Sequence, residues 1–426
     1  MAIADALPRK KPSLLRQLGP GLITGASDDD PGGIATYSQV GAQFGYQMLW
    51  TAWFLYPLMG GIQEICARIG RVTGHGIAGN IRRHHSPWLL YGTVALLLLA
   101  NVINLGADIG AMGAALHLLI GGPMLLYAAL FAIVSVLLQV FMHFESYTRV
   151  LKWLTLALFA YVGTAFAIRI DWGQVLHGFL VPTVIFRSDY LMGLVALFGT
   201  TISPYLFFWQ ASQEVETQRE TPGEEALRKA PRQAPAQLQR IRIDTYVGMA
   251  FSNLIAFFIM LTAAATLHAH GGTQIQTATQ AAEALRPVAG QFAFLLFSLG
   301  IIGTGLLAVP VLAGSAAYAV GEALKWPVGL ARRPLEAKGF YGIIAAATFV
   351  GVGFDFLDIN PIQALYLSAV LNGLVAVPIM VLMMRMAMRP KIMGRFVLPP
   401  RLLIVGWLAT AVMAAAAVAL ILNWLA

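Results

Sequence analysis

Gly25-Ala26-Ser27-Asp28-Asp29-Asp30-Pro31-Gly32-Gly33 interrupts an apolar run that extends from about residue 16 to 42. Three carboxylates followed by Pro-Gly-Gly cannot continue a helix. Proline lacks the N–H that a helix needs and glycine resists helical order. Charge inside a stretch long enough to cross a membrane is costly, and where it persists it usually serves function. The nine residues therefore predict a helix broken at membrane depth, with its carboxylates held at the break.

A second break stands in a corresponding place. Gly199-Thr200-Thr201-Ile202-Ser203-Pro204-Tyr205 lies inside another apolar run, where Pro204 frees backbone carbonyls beside hydroxyl side chains. Apolar runs between charged punctuation number about eleven, near 16–42, 48–68, 89–119, 122–142, 150–168, 190–212, 244–267, 290–321, 339–353, 361–384 and 402–425. The breaks fall in the first and sixth. Those positions are equivalent if the first ten helices form two five-helix repeats of opposite orientation, 16–168 and 190–384. Paired interrupted helices in matching positions point to a transporter's site at the membrane midplane. Irregular backbone at that depth is tolerated only beside protein or a water-filled cavity.

Composition supports the membrane reading. Of 426 residues, 58% are hydrophobic and 11% charged, with a mean hydropathy of +0.71. A water-soluble domain keeps about 25% of its residues charged, so lipid must bathe most of this exterior. Cys66 is the one cysteine, which excludes an intramolecular disulfide and a cysteine metal cluster. Residues 1–15 read as a polar, basic cytoplasmic tail without a signal-peptide pattern.

The net charge of +8 marks topology, not nucleic acid. Of the 28 Lys and Arg, 25 fall in alternate connections, and only Arg169, Arg187 and Arg286 lie in the others. Positive residues collect on the cytoplasmic side. The N-terminus is expected inside and the C-terminus, after the helix at 402–426, outside, in a multi-pass plasma-membrane protein. The connection at 213–243 reads as cytoplasmic, and its Pro- and Ala-rich part, Thr221–Gln239, reads as mobile with some helical tendency. The outer loop Asp355–Pro361 is acidic, which fits either a solvated loop or an attractive mouth for cations.

An aspartate, released carbonyls and hydroxyls make an all-oxygen environment, suited to hard cations such as Mg²⁺, Ca²⁺ or Mn²⁺. Asp30 is the expected principal ligand. Asp28 and Asp29 are expected to line the approach or to bond backbone or a neighbouring helix. Gly33, Thr200, Ser203 and Tyr205 are expected around the ion, or else in the packing of the breaks. Asp108 fits an exit route or a buried network. Asn372 offers either an amide oxygen from the tenth helix or a helix-to-helix bond. Glu64, one turn before Arg68, reads as an intrahelical partner. His268 and His270 are a weaker pair near the outer loop.

At these residues the sequence resembles the NRAMP family of divalent-metal transporters. Gly19-Pro20-Gly21 followed by Asp30-Pro31-Gly32 is similar to that family's first-helix signature. Gln63-Glu64-Ile65-Cys66-Ala67-Arg68-Ile69-Gly70-Arg71-Val72-Thr73-Gly74 resembles its second helix, and the stretch from Val150 to Tyr161 its fifth. The resemblance implies an all-α membrane protein with a five-plus-five inverted-repeat, LeuT-like fold. It also implies a transporter whose partners are a divalent cation and the bilayer, without cofactor, enzymatic activity or obligate protein partner.

Three departures bear on the cargo. Gly33 stands where the family has Asn, and Ser203 and Tyr205 stand where it has Met and His. A second His of that helix falls at Gln210. This pattern is similar to the NRAMP-related magnesium transporters. It implies a wider, harder site that takes Mg²⁺ and accepts Mn²⁺, by alternating access without proton coupling. The alternatives are a proton-coupled Mn²⁺/Fe²⁺ transporter of the parent type and a sodium-coupled amino-acid transporter of the same fold. The three acids would repel the carboxylate of the last.

Overall fold

The computed structural model describes residues 19–142, 154–357 and 360–425, and these are helical with no strand. The expected tail at 1–15 lies outside them, as do Arg149, Lys152, Asp358 and the start of the Val150–Tyr161 stretch.

The first apolar run is two helices, α1 (Pro20–Asp28) and α2 (Pro31–Phe44), each with proline at its start. Proline is preorganised for the first helical position and pushes the preceding residue out of helical conformation. Asp30 obeys, at φ −67° and ψ 171°. Further along come α3 (Trp50–Thr73), α4 (Ile77–His84), α5 (Pro87–Ile120), α6 (Met124–Phe141), α7 (Phe159–Ala167) and α8 (Trp172–Leu180). The second break separates α9 (Ser188–Thr201) from α10 (Pro204–Glu220), with Ser203 extended at φ −81° and ψ 135° before Pro204. The chain closes with α11 (Ala234–Thr266), α12 (Ala293–Leu324), α13 (Lys338–Gly353), α14 (Pro361–Ala387) and α15 (Pro400–Leu425).

Among the described residues seven helical segments are each long and apolar enough to cross a membrane, and the apolar helices Leu156–Ala167 and Lys338–Gly353 are shorter. With the α1–α2 pair and α3, which carries Gln63, Glu64, Arg68 and Arg71 among its apolar residues, these account for the eleven runs. Lipid-facing surfaces are explicit. Leu126, Leu130, Ile133, Leu137 and Phe141 form an exposed apolar stripe along α6 at helical spacing.

The interior is set by glycine. A methyl group on Gly25 would sit 2.3 Å from the Gly248 carbonyl oxygen, and one on Gly248 would sit 2.2 Å from that of Gly21. The backbones of α1 and α11 therefore touch directly, in the small-residue mode of membrane helices. On the other side α9 lies as close to α14, through Gly199 and the Ala369 carbonyl.

The connection expected to be mobile is neither long nor loose. Helix extends to Glu220 and resumes at Ala234, leaving 221–233 between them. Leu227 is buried, and the N–H groups of Leu227 and Arg228 donate to the carbonyls of Arg71 and Val72, each at 3.2 Å. Glu224 pairs with the fully buried Arg71. Composition pointed to a solvated segment, but a buried guanidinium needs a partner, and this loop supplies it. Arg68 pairs with Glu64 at 2.7 Å, as expected from their spacing.

Candidate metal centre

Both breaks open at one depth and face one another. Two helices, α1 and α9, end there with carbonyls that no intrahelical donor satisfies, and helix C-termini carry partial negative charge. Between them stands Asp30. Its Oδ1 accepts from the Gly33 N–H at 2.6 Å, capping α2. Its Oδ2 lies 3.1 Å from the Tyr205 hydroxyl and 3.5 Å from the Asn104 amide nitrogen. Tyr205, in the first turn of α10, also lies 3.1 Å from the Ser27 carbonyl oxygen, so one hydroxyl joins the two breaks. Asp30 is 3% exposed and Tyr205 1%. Both groups are closed off from solvent.

The other candidates divide into those at this centre and those beside it. Gly33 and Thr200 belong to it. A methyl group on Gly33 would lie 3.1 Å from the Asp28 carbonyl oxygen and 3.4 Å from the Thr200 hydroxyl. The missing side chain at Gly33 was expected to widen the cavity. Instead Asp28, Tyr37 and Thr200 close in around it. Ser203 sits at the second break, but its hydroxyl turns back onto the carbonyls of Gly199 (2.7 Å) and Thr200 (2.9 Å). It thereby covers part of the C-terminus of α9.

Asp28 and Asp29 turn to α11, where the Ser252 hydroxyl lies 2.7 Å from Asp28 Oδ2 and 3.1 Å from Asp29 Oδ1. Asp108 is fully buried on α5, beside the Gly32 backbone N–H and within electrostatic reach of Asp30. Asn372 is buried on α14, and among the described residues no hydrogen bond ties it to either break. Ser368, one turn earlier, makes the connection instead, 2.7 Å from the Asn104 amide oxygen.

Among the described residues no three His, Cys, Asp or Glu side chains converge as a cage. Asp30 is thus surrounded mainly by neutral hydroxyl, amide and carbonyl groups, with Asp108 as the neighbouring carboxylate on α5. The two histidines after α11 are not joined either. His268 and His270 each bond a backbone carbonyl, of Ala42 at 2.8 Å and of Thr266 at 2.5 Å.

Sequence reasoning did not single out Asn104, Ser252 or Ser368. Asn104 carried a usable signal, because it lies one helical turn before Asp108 in a long apolar helix. The two serines carried none, since small hydroxyls are common in apolar helices. At the start of α1, Asp244 on α11 accepts from the N–H groups of Gly19 (2.8 Å), Gly21 (2.7 Å) and Leu22 (3.0 Å). Thr24 and Gln210 bond α1 to α10. The first half of the broken helix is thus tied to both α10 and α11.

Comparison with known proteins adds three findings. The family model described as "Natural resistance-associated macrophage protein-like" matches residues 21–423. The divalent metal cation transporter MntH of Aeromonas hydrophila is 27% identical over 311 residues, 72% of either chain. That of Ralstonia nicotianae is 30% identical over 317 residues, 72% of this chain and 68% of the relative. Among solved structures, a manganese transporter of Eremococcus coleocola superposes with a TM-score of 0.75 at 17% identity, over 97% of this chain and 88% of its own. Mhp1, a nucleobase-cation-symport-1 family transporter, gives 0.58 at 13% identity, over 94% and 92%. The likeness to these two establishes the fold.

Proposed function

The chain belongs to the natural resistance-associated macrophage protein-like family, and from that premise we propose that it carries a divalent metal cation across the plasma membrane by alternating access. The observation that carries the proposal is Asp30, an almost fully buried carboxylate between two helix ends whose surroundings are hydroxyl, amide and carbonyl. One carboxylate and two helix C-termini attract a cation without fixing it permanently. The work is transport, not catalysis.

Manganese is the first cargo to consider. Relatives are named divalent metal cation transporters, and a structural neighbour a manganese transporter; they support the parent-type, proton-coupled Mn²⁺/Fe²⁺ reading over the magnesium one. The magnesium reading keeps one specific support in this chain: Ser203 and Tyr205 supply hard oxygen where the family has thioether and imidazole. Uncoupled entry needs no proton partner, since a divalent ion gains about 4.6 kcal/mol per 100 mV from the membrane potential. In this reading residues 16–168 and 190–384 are the two repeats, with the N-terminus inside and the C-terminus outside.

The test is uptake into proteoliposomes that hold a pH dye, with Mn²⁺, Mg²⁺ and Ca²⁺ offered separately to wild type and Asp30→Ala. Mn²⁺ uptake with acidification, lost in the variant, supports the parent-type reading. Mg²⁺ uptake without acidification supports the second. If no divalent ion enters, the transporter assignment fails.

A further inference from the structure

Asn104 belongs to neither helix break, yet it is 2% exposed and reaches Asp30. Its amide has two ends and two partners. The nitrogen lies 3.5 Å from Asp30 Oδ2, and the oxygen lies 2.7 Å from the Ser368 hydroxyl. Ser368, itself 1% exposed, also lies 2.8 Å from the Leu365 carbonyl oxygen. A serine hydroxyl has one proton and two lone pairs, so it cannot donate fully to both.

That surplus of acceptors permits two satisfied arrangements of the same atoms. In the first, the amide nitrogen faces Asp30, and the Ser368 proton goes to the amide oxygen. In the second, the amide is turned over. Its oxygen faces Asp30, its nitrogen donates to the Ser368 oxygen, and the Ser368 proton moves to the Leu365 carbonyl. Neither arrangement strands a buried polar group, which would cost about 1–3 kcal/mol. What separates them is the charge beside Asp30. An amide N–H complements a bare carboxylate. A cation on that carboxylate repels the N–H and attracts the amide oxygen.

We infer that Asn104 is a ligand of the transported cation: its amide turns over when the ion arrives, with Ser368 as the pivot that satisfies both orientations. This rests on the proposed transport of a divalent cation and extends it to a third helix. The long 3.5 Å contact suits a group that must let go. Because Ser368 lies on α14 and Asn104 on α5, the turn also tells α14 that the site is filled.

Equilibrium binding of Mn²⁺ and Mg²⁺ to detergent-purified full-length protein tests this, with ion-free melting temperatures recorded for each variant. Asn104→Leu keeps the shape and removes the oxygen, so its Kd rises about tenfold. Asn104→Asp keeps an oxygen towards the ion in either orientation and binds at least as tightly as wild type. Ser368→Ala removes the pivot and weakens binding by up to about tenfold, and Ser368→Thr restores it. A purely structural asparagine predicts instead that Leu and Asp weaken binding alike, each in step with its loss of melting temperature. That result overturns the proposal, as does an unchanged Kd in Asn104→Leu. If wild type binds neither ion, the transport reading fails and this one with it; if wild type binds and Asn104→Leu leaves the Kd unchanged, this one fails alone.

Discussion

The two helix breaks are built from the same local device, a proline that starts the second half-helix, yet they hold opposite chemistry. The first gathers three carboxylates within one turn; Asp30 draws donors from α2, α5 and α10, while Asp28 and Asp29 share the one hydroxyl proton of Ser252 on α11. The second holds no charge, and the Ser203 hydroxyl at the break is folded back onto the carbonyls of α9. The difference assigns unequal work. The first break carries the charge that a divalent ion answers, and the second provides shape, carbonyls and the tyrosine that bridges across. Burial sharpens the contrast, because a carboxylate held from water without a cationic partner is costly, whereas a capped neutral helix end is not.

If that division holds, Asp30→Asn has the largest effect of any single change at the centre. Groups that merely orient metal ligands cost about 10–100-fold when removed. A principal ligand at a site with one carboxylate should therefore cost at least about 100-fold in uptake efficiency. Uptake in proteoliposomes over a range of ion concentrations measures it. Retention of more than a tenth of wild-type efficiency would move the charge-bearing role to Asp28, Asp29 or Asp108.

Tyr205→Phe comes next, because it removes the hydroxyl that bridges the two breaks. The apolar ring still fills its buried space. The loss is the hydroxyl, which leaves Asp30 Oδ2 to Asn104 and the ion. About a tenfold change is expected, seen mainly in KM if the hydroxyl organises binding and mainly in kcat if it holds the two halves in register. An unchanged profile would mean that the breaks work independently, with no bridge between charged and neutral halves.

How much of this arrangement could be read from sequence follows the same division. The first break was legible because helix packing alone gives no reason to place three carboxylates and Pro-Gly-Gly inside an apolar run. The eleven runs and the paired positions of the breaks were legible because hydrocarbon thickness and charge punctuation constrain helices strongly. Partners across helices were not. Nothing in a linear sequence says that Ser252 reaches Asp28 and Asp29, that Ser368 and not Asn372 reaches from α14, or that Gly33 is crowded rather than open. The 221–233 connection misled for a related reason. Its composition is that of a solvated loop, and only the buried Arg71 on a distant helix explains why Glu224 and Leu227 pack inward.

Ser252→Ala probes the part of the first break that faces away from the ion. The substitution strips Asp28 and Asp29 of the hydroxyl they share, in a place where each already has one unpartnered oxygen. The cost falls on folding, about 1–3 kcal/mol for buried acceptors left without a donor. A lower melting temperature with KM changed less than about threefold is the expected pattern. The reverse, intact stability with weakened ion binding, would bring Asp28 and Asp29 into the ion's surroundings and enlarge the charged break.

Ser203→Ala should have the smallest effect, and it is the most direct check on the neutral break. In sequence Ser203 stands as a candidate ligand; in the fold its proton is committed to the carbonyls of Gly199 and Thr200. Removing it loses a net contribution of about 1 kcal/mol from one neutral hydrogen bond. It also frees the two carbonyls to face the ion, which offsets part of that loss. Uptake should fall no more than about twofold. A sulfur at the same position tells more: Ser203→Cys is close in shape, and softness at the ligand shifts preference towards thiophilic ions. If Ser203 borders the ion, the Cd²⁺-to-Mg²⁺ uptake ratio rises in the cysteine variant while total Mn²⁺ uptake stays near wild type. If the ratio does not move, the side chain at 203 only caps α9, and the second break meets the ion through backbone carbonyls and Tyr205.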